Sequence, residues 1–398
     1  MKNLFNARAP AFDAEAINAT IQQALASAGL DTKTGPMLDV TETIRRALGT
    51  GSHANETASK EHSTVIDVAA RFVAADDAPQ TTWESETVVP AARPLSGSFE
   101  THEFSNRAGS RAYKVYAPAG HADAPRPMVV MLHGCTQSAN DFAAGTQMNR
   151  LADEHGFLVV YPEQGTQDNT SKCWNWFKPQ DQLRDAGEPS LIAGIVKEVA
   201  HKHNADPRRI FVAGLSAGAA MAVVLGETYP ELFAGVGAHS GLPYGSAHDI
   251  PSAMAAMKGG RSGMPGLKKS LKSAAAPRKK AMQAMPVIVF HGDRDHTVQQ
   301  TLGADIVQQA QDAHGAQPNT AGLRVSSHTG VAPAGRRYSR SVHADADGQV
   351  WIENWVLHGA GHAWSGGHTS GSYTDSNGPD ASAEMVRFFM SQPRAGTA

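Results

Sequence analysis

The sequence predicts an α/β domain with a mostly parallel central sheet covered by helices on both faces, preceded by a poorly structured or helical N-terminal extension. Three observations predict it. From about Phe99 onward, short apolar runs alternate with helix-like segments. Runs such as Met128-Val129-Val130-Met131-Leu132 are apolar at every position, which suits a strand buried on both sides. One such strand also passes through a glycine-flanked serine directly into a helical stretch. The expected boundaries are residues 1–98 for the extension, 99–392 for the α/β domain and 393–398 for a flexible tail.

The extension opens with Ile17, Ile21 and Leu25 recurring every fourth position, one helical face that Gly29 ends. Asp39 and Glu42 stand three apart as a capping-box pattern, and Val40, Ile44 and Leu48 give a second short face. Residues 50–64 are polar and small, 75–98 mix Pro, Ala, Thr and Ser without period, and the whole extension is too poor in large apolar side chains for a core of its own. In the domain, the candidate strands are Tyr113–Ala117, Met128–Leu132, Phe157–Tyr161, Ile210–Ala213, Gly235–His239, Val287–Phe290 and Val350–Leu357. The candidate helices between and after them are Asn140–Glu154, Leu191–Lys202, Ala217–Thr228, Val298–Ala313 and Ser382–Ser391. Lys258–Lys280 interrupts the alternation with eight basic residues and no acid, which reads as a solvated insertion or as a lid or patch for an anionic partner.

Composition removes several functions. A formal net charge of -3 over 398 residues excludes a nucleic-acid binder that works through global positive charge. The two cysteines, Cys135 and Cys173, exclude a disulfide-scaffold fold and a four-cysteine zinc site. No run of about 18 apolar residues offers a membrane span. Asp13, Glu15, Gln22 and Gln23 break any apolar core near the start, so the expected location is cytoplasmic.

The chemistry gathers around Gly214-Leu215-Ser216-Ala217-Gly218, between the strand Ile210–Ala213 and the helix starting at Ala217. A turn this sharp holds the serine in strained backbone geometry, and side chains at 214 or 218 would collide with neighbouring elements. The helix start beyond it presents free N–H groups where negative charge develops. Ser216 is therefore the candidate nucleophile. Its base and orienting acid are expected on loops after later strands, in the order Ser, Asp, His. After Val287–Phe290 comes Asp295, with Asp293 as competitor; after Val350–Leu357 comes His362, with His358 and His368 as alternatives. His133, His155 and His239 read as structural or surface histidines. The oxyanion donors are expected to be the amides of Ala217 and Cys135, with His133 bracing the Cys135 loop.

Together these blocks, with Leu132-His133-Gly134-Cys135-Thr136-Gln137, Cys173-Trp174-Asn175-Trp176-Phe177, His291-Gly292-Asp293-Arg294-Asp295 and Gly361-His362-Ala363-Trp364, resemble the polyhydroxybutyrate depolymerase family of serine esterases. That family is similar to certain feruloyl and acetylxylan esterases. The resemblance covers roughly Phe104 to Phe389. It implies an α/β-hydrolase fold, a Ser216–Asp295–His362 triad, hydrolysis of short-chain hydroxyacid polyesters or related esters, and no metal or organic cofactor. Members of the family are commonly secreted, often with a substrate-binding module, and the start of this chain matches neither feature. Cys135 and Cys173 both lie in matching blocks and either pair or remain reduced. Trp174, Trp176 and Trp364 are expected either to offer flat apolar surface to a substrate or to pack the core. The rival readings are a feruloyl or acetylxylan esterase and an inert protein that docks on a hydrophobic polymer granule through residues 1–98.

Overall fold

The computed structural model describes residues 95–120, 124–259, 284–317 and 321–392. The expected N-terminal helices, nearly all of the basic Lys258–Lys280 segment and the 393–398 tail lie outside the described residues. The elements run β1 (Ser98–Asn106), β2 (Gly109–Ala117), β3 (Arg126–Leu132), α1 (Ala139–Thr146), α2 (Met148–His155), β4 (Leu158–Pro162), α3 (Gly187–Lys202), β5 (Ala205–Leu215), α4 (Ala217–Thr228) and β6 (Gly235–His239). They continue with α5 (Ile250–Met257), β7 (Val287–Gly292), α6 (Thr301–Gly315), β8 (Arg324–Val331), β9 (Arg337–Ala344), β10 (Val350–Leu357), the short pair β11 (Trp364–Ser365) and β12 (Thr374–Asp375), and α7 (Ala381–Met390).

One ten-stranded sheet has the order β1-β2-β4-β3-β5-β6-β7-β10-β9-β8. Its middle, from β4 through β10, is parallel. Both flanks are antiparallel: β1 with β2 and β2 with β4 on one side, β10 with β9 and β9 with β8 on the other. The sheet is thus mixed, where a mostly parallel one was expected. The difference comes from β1, β8 and β9, which carry Ser, Thr, His and Arg and leave much of their surface to solvent. Such strands have no apolar run to betray them.

The core explains the order. Strand side chains alternate between faces, and β3 shows the result. Met128, Val130 and Leu132 join one apolar cluster with Ile192, Ile195 and Val196 of α3 and Met221, Val224 and Leu225 of α4. Val129 and Met131 join the other with Phe142 of α1, Leu151 of α2 and Met385, Phe388 and Phe389 of α7. Every β3 side chain from Met128 to Leu132 is fully buried, and each large one contributes about 1.5–3 kcal/mol. The single helix expected over Asn140–Glu154 is two helices, because Gln147 turns left-handed (φ 54°) and ends the first. Among the described residues, no helix is long and apolar enough to cross a membrane.

This topology positions the site. Since β3, β5, β6, β7 and β10 run parallel, the loops after them emerge along one sheet edge, the edge where open α/β sheets bind their ligands.

Candidate active site

Ser216 sits between β5 and α4 with φ 58° and ψ -119°, a conformation that costs a non-glycine residue about 1–3 kcal/mol and persists only where its surroundings enforce it. The enforcement is visible. The Ser216 N–H donates to the His239 carbonyl at the end of β6 (2.9 Å). A Cβ on Gly214 would lie 2.4 Å from the Gly218 carbonyl carbon, and one on Gly218 would lie 2.0 Å from the Leu132 carbonyl oxygen. Glycine at both positions therefore lets the loop after β3 press against the first turn of α4.

That loop carries Cys135. Cys135 and Cys173 form a disulfide, so of the two expected states the bonded one is present. The Thr136 N–H donates to the Ser171 carbonyl (2.7 Å), a second tie between the same segments. His133 braces the loop: its Nε2 accepts the Gln164 N–H (3.0 Å) and its Nδ1 donates to the Gly134 carbonyl (2.7 Å). Burial pushes the His133 pKa down and keeps this tautomer neutral. The Cys135 N–H has no acceptor among the described residues, and Ala217, first in α4, lacks an intrahelical one.

The loops after β7 and β10 meet. His362 Nδ1 donates to Asp295 Oδ2 at 2.7 Å. Asp295 Oδ1 accepts the Thr297 and Val298 N–H groups (2.9 and 2.8 Å), and its side chain is completely buried. Burial alone would raise the Asp295 pKa, but the His362 hydrogen bond and charge and the Val298 amide outweigh it and hold the carboxyl below its ordinary value. The competitor Asp293 pairs instead with His358, Oδ2 to Nδ1 at 3.0 Å. His368 is exposed and bonds Ser370, joining neither acid. Ser216 follows β5, three strands along the same edge from β10; the Asp295–His362 contact and Ser216 are linked through His239. The His239 carbonyl holds Ser216, and its Nε2 accepts the Ser365 N–H, three residues past His362 (3.0 Å). Burial drives the His239 pKa down to about 3, with the neighbouring His291 and His362 adding to the effect.

The three tryptophans have no open faces for a substrate. Trp174 is fully buried beside His133 and Arg111, Trp364 is stacked on His239 and against Phe142, and Trp176 is nearly buried beside Phe177. An indole in a loop fills a core as readily as it lines a cleft, and here the core takes all three. Among the described residues, the large aromatic left exposed is Tyr373, 47% accessible, at φ 53°, its hydroxyl 3.2 Å from Thr136 Oγ1 beside Cys135. No motif marks it in the sequence. Glu188 was equally unmarked. It is buried, accepts from the Asn175 backbone and side-chain N–H groups and from Gln164 Nε2, and burial raises its pKa to about 7. Among the described residues, no group of three His, Cys, Asp or Glu side chains is placed to hold a metal ion.

A serine at a strand-to-helix turn, with an Asp–His pair on loops after later parallel strands, defines an α/β-hydrolase-like protein. Its fold is similar to that of an acetyl xylan esterase from Aspergillus awamori, at a TM-score of 0.57 and 20% identity over 74% of this chain and all of that one. The chain belongs to the Esterase PHB depolymerase family, whose model matches residues 111–329. It is 33% identical to poly(3-hydroxyalkanoate) depolymerase C of Paucimonas lemoignei, over 66% of this chain and 61% of that protein. It is 38% identical to feruloyl esterase B of Neurospora crassa, over 39% of this chain and 52% of that protein. The chain thus spans less than two thirds of the length of these relatives.

Proposed function

We propose that the protein is a serine esterase that hydrolyses poly(3-hydroxybutyrate) or its oligomers through an acyl-enzyme. The observation that carries this reading is the buried 2.7 Å bond between His362 Nδ1 and Asp295, on the sheet edge where Ser216 is held at positive φ. With Nδ1 committed to the carboxylate, Nε2 is the ring nitrogen that takes the Ser216 proton as Oγ attacks the ester carbonyl. The Cys135 and Ala217 amides receive the oxyanion. The imidazolium then protonates the leaving alcohol, and water releases the acid by the reverse route. Asp295 remains ionised throughout, as its lowered pKa favours.

The polyester substrate is favoured over a plant cell-wall ester because the named depolymerase aligns over a larger share of the chain than the named feruloyl esterase does. A panel of hydroxybutyrate oligomers, feruloyl esters and acetylated xylan tests the choice; faster turnover of either wall ester would reverse it. Ser216→Ala lowers kcat on p-nitrophenyl butyrate by about 10³-fold or more with the fold intact. Failure of a fluorophosphonate to label Ser216 would instead favour an inert, granule-docking protein, and a granule pull-down with residues 1–98 deleted examines that docking.

A further inference from the structure

Asp293 and His358 form a second carboxylate–imidazole pair, and it too continues to a serine. His358 Nδ1 lies 3.0 Å from Asp293 Oδ2, and His358 Nε2 lies 2.8 Å from Ser339 Oγ. The residue types repeat those of a catalytic relay, but the setting does not. Ser339 lies inside β9, laddered to Val356 on one side and Thr329 on the other, and no helix starts after it. A serine in an unstrained strand lacks the adjacent helix start that gives Ser216 its oxyanion donors.

The bonds around Asp293 point to another role. The Asp293 N–H donates to the Leu357 carbonyl (3.0 Å), and the Arg294 N–H donates to the Ala360 carbonyl (3.0 Å). Asp293 Oδ1 accepts the Gly359 N–H at 2.7 Å. A Cβ on Gly292 would lie 2.3 Å from the Ala360 oxygen, so the two backbones run in close contact just where the β7–β10 ladder stops. We propose that Asp293 and His358 are positioning residues that clamp the acid-bearing loop to the base-bearing loop, so that Asp295 and His362 meet in register two and four residues further on. The inference rests on the assignment of Asp295 and His362 as acid and base.

The clamp is half-exposed, at 32% for the Asp293 side chain and 37% for that of His358. Pairs this open to water contribute little to global stability, whereas a small misplacement of reacting groups costs up to about 10²-fold in rate. The clamp therefore acts on turnover with little effect on melting.

Conservative variants separate its two bonds. In His358→Asn the amide Nδ2 takes the place of Nδ1 and keeps the donor to Asp293. In His358→Gln the amide reaches toward Ser339 instead. The intact chain is assayed for kcat and KM on p-nitrophenyl butyrate, for the rate of fluorophosphonate labelling and for Tm. His358→Gln and Asp293→Ala lower kcat and labelling at least about tenfold with KM within about twofold. His358→Asn keeps at least about five times the turnover of His358→Gln. A smaller loss in His358→Gln, or a smaller margin for His358→Asn, overturns the inference; His358→Gln alone decides should Asp293→Ala not fold. Ser216→Ala, run alongside, keeps the two readings apart. Activity surviving in Ser216→Ala removes the nucleophile, while a dead Ser216→Ala beside an unaffected His358→Gln removes only the clamp.

Discussion

Two Asp–His pairs stand side by side on the same two loops, and their surroundings separate their roles. The Asp295 side chain is fully buried and takes two amide N–H groups as well as the imidazole, while Asp293 stands partly in water and takes one. Charge interactions weaken several-fold between a protein interior and solvent. The inner pair is consequently suited to hold an imidazolium during a reaction, and the outer pair to hold backbone. Identical chemistry at neighbouring positions is sorted by burial.

The sharpest way to break this contrast is to neutralise each acid in turn. Asp295→Asn lowers kcat by about 10³–10⁴-fold, since the amide favours the wrong imidazole tautomer. Asp293→Asn lowers it by only about tenfold. Steady-state kinetics on one soluble ester compare them, and equal losses would erase the distinction.

A second contrast is between covalent and non-covalent bracing. Replacing Cys135 and Cys173 together by Ala lowers unfolding stability by roughly 3–4 kcal/mol on the chain-entropy argument. Urea denaturation measures the loss, and a change below 1 kcal/mol would mean that the His133 and Thr136 hydrogen bonds suffice.

The smallest effect concerns the neutral histidine behind the buried pair. The folded pKa of His239, near 3, lies below the unfolded value of about 6.5. The unfolded chain therefore binds this proton first. The contribution is complete above pH 6.5 and is lost as pH falls toward 3. His239→Gln, which keeps an acceptor for the Ser365 N–H, removes up to about 1.4 kcal/mol per pH unit of that slope. Denaturation curves at pH 7, 6 and 5 would show the variant's flatter fall; parallel curves would sink the argument.

The parallel centre of the sheet was legible because burial on both faces demands continuous apolar runs, and the serine turn because only glycine fits at 214 and 218. The outermost strands were not. β8 and β9 are held by backbone ladders that any polar residue can make, so their sequence carries no period tied to a core. The sequence favours Asp295 over Asp293 only by position after the strand. Their sorting depends on the turn in which Asp295 caps the amides of Thr297 and Val298, a local geometry shared by many Asp residues. Tyr373 escaped because nothing in its local sequence points to its contact with Thr136, 237 residues earlier in the chain.

The covalent link between Cys135 and Cys173 gives the protein a redox history. Material produced where thiols stay reduced would carry two alkylatable sulfurs beside the loop assigned to the oxyanion. The choice of production host, or an air-oxidation step during purification, thereby becomes a variable in any measured specific activity.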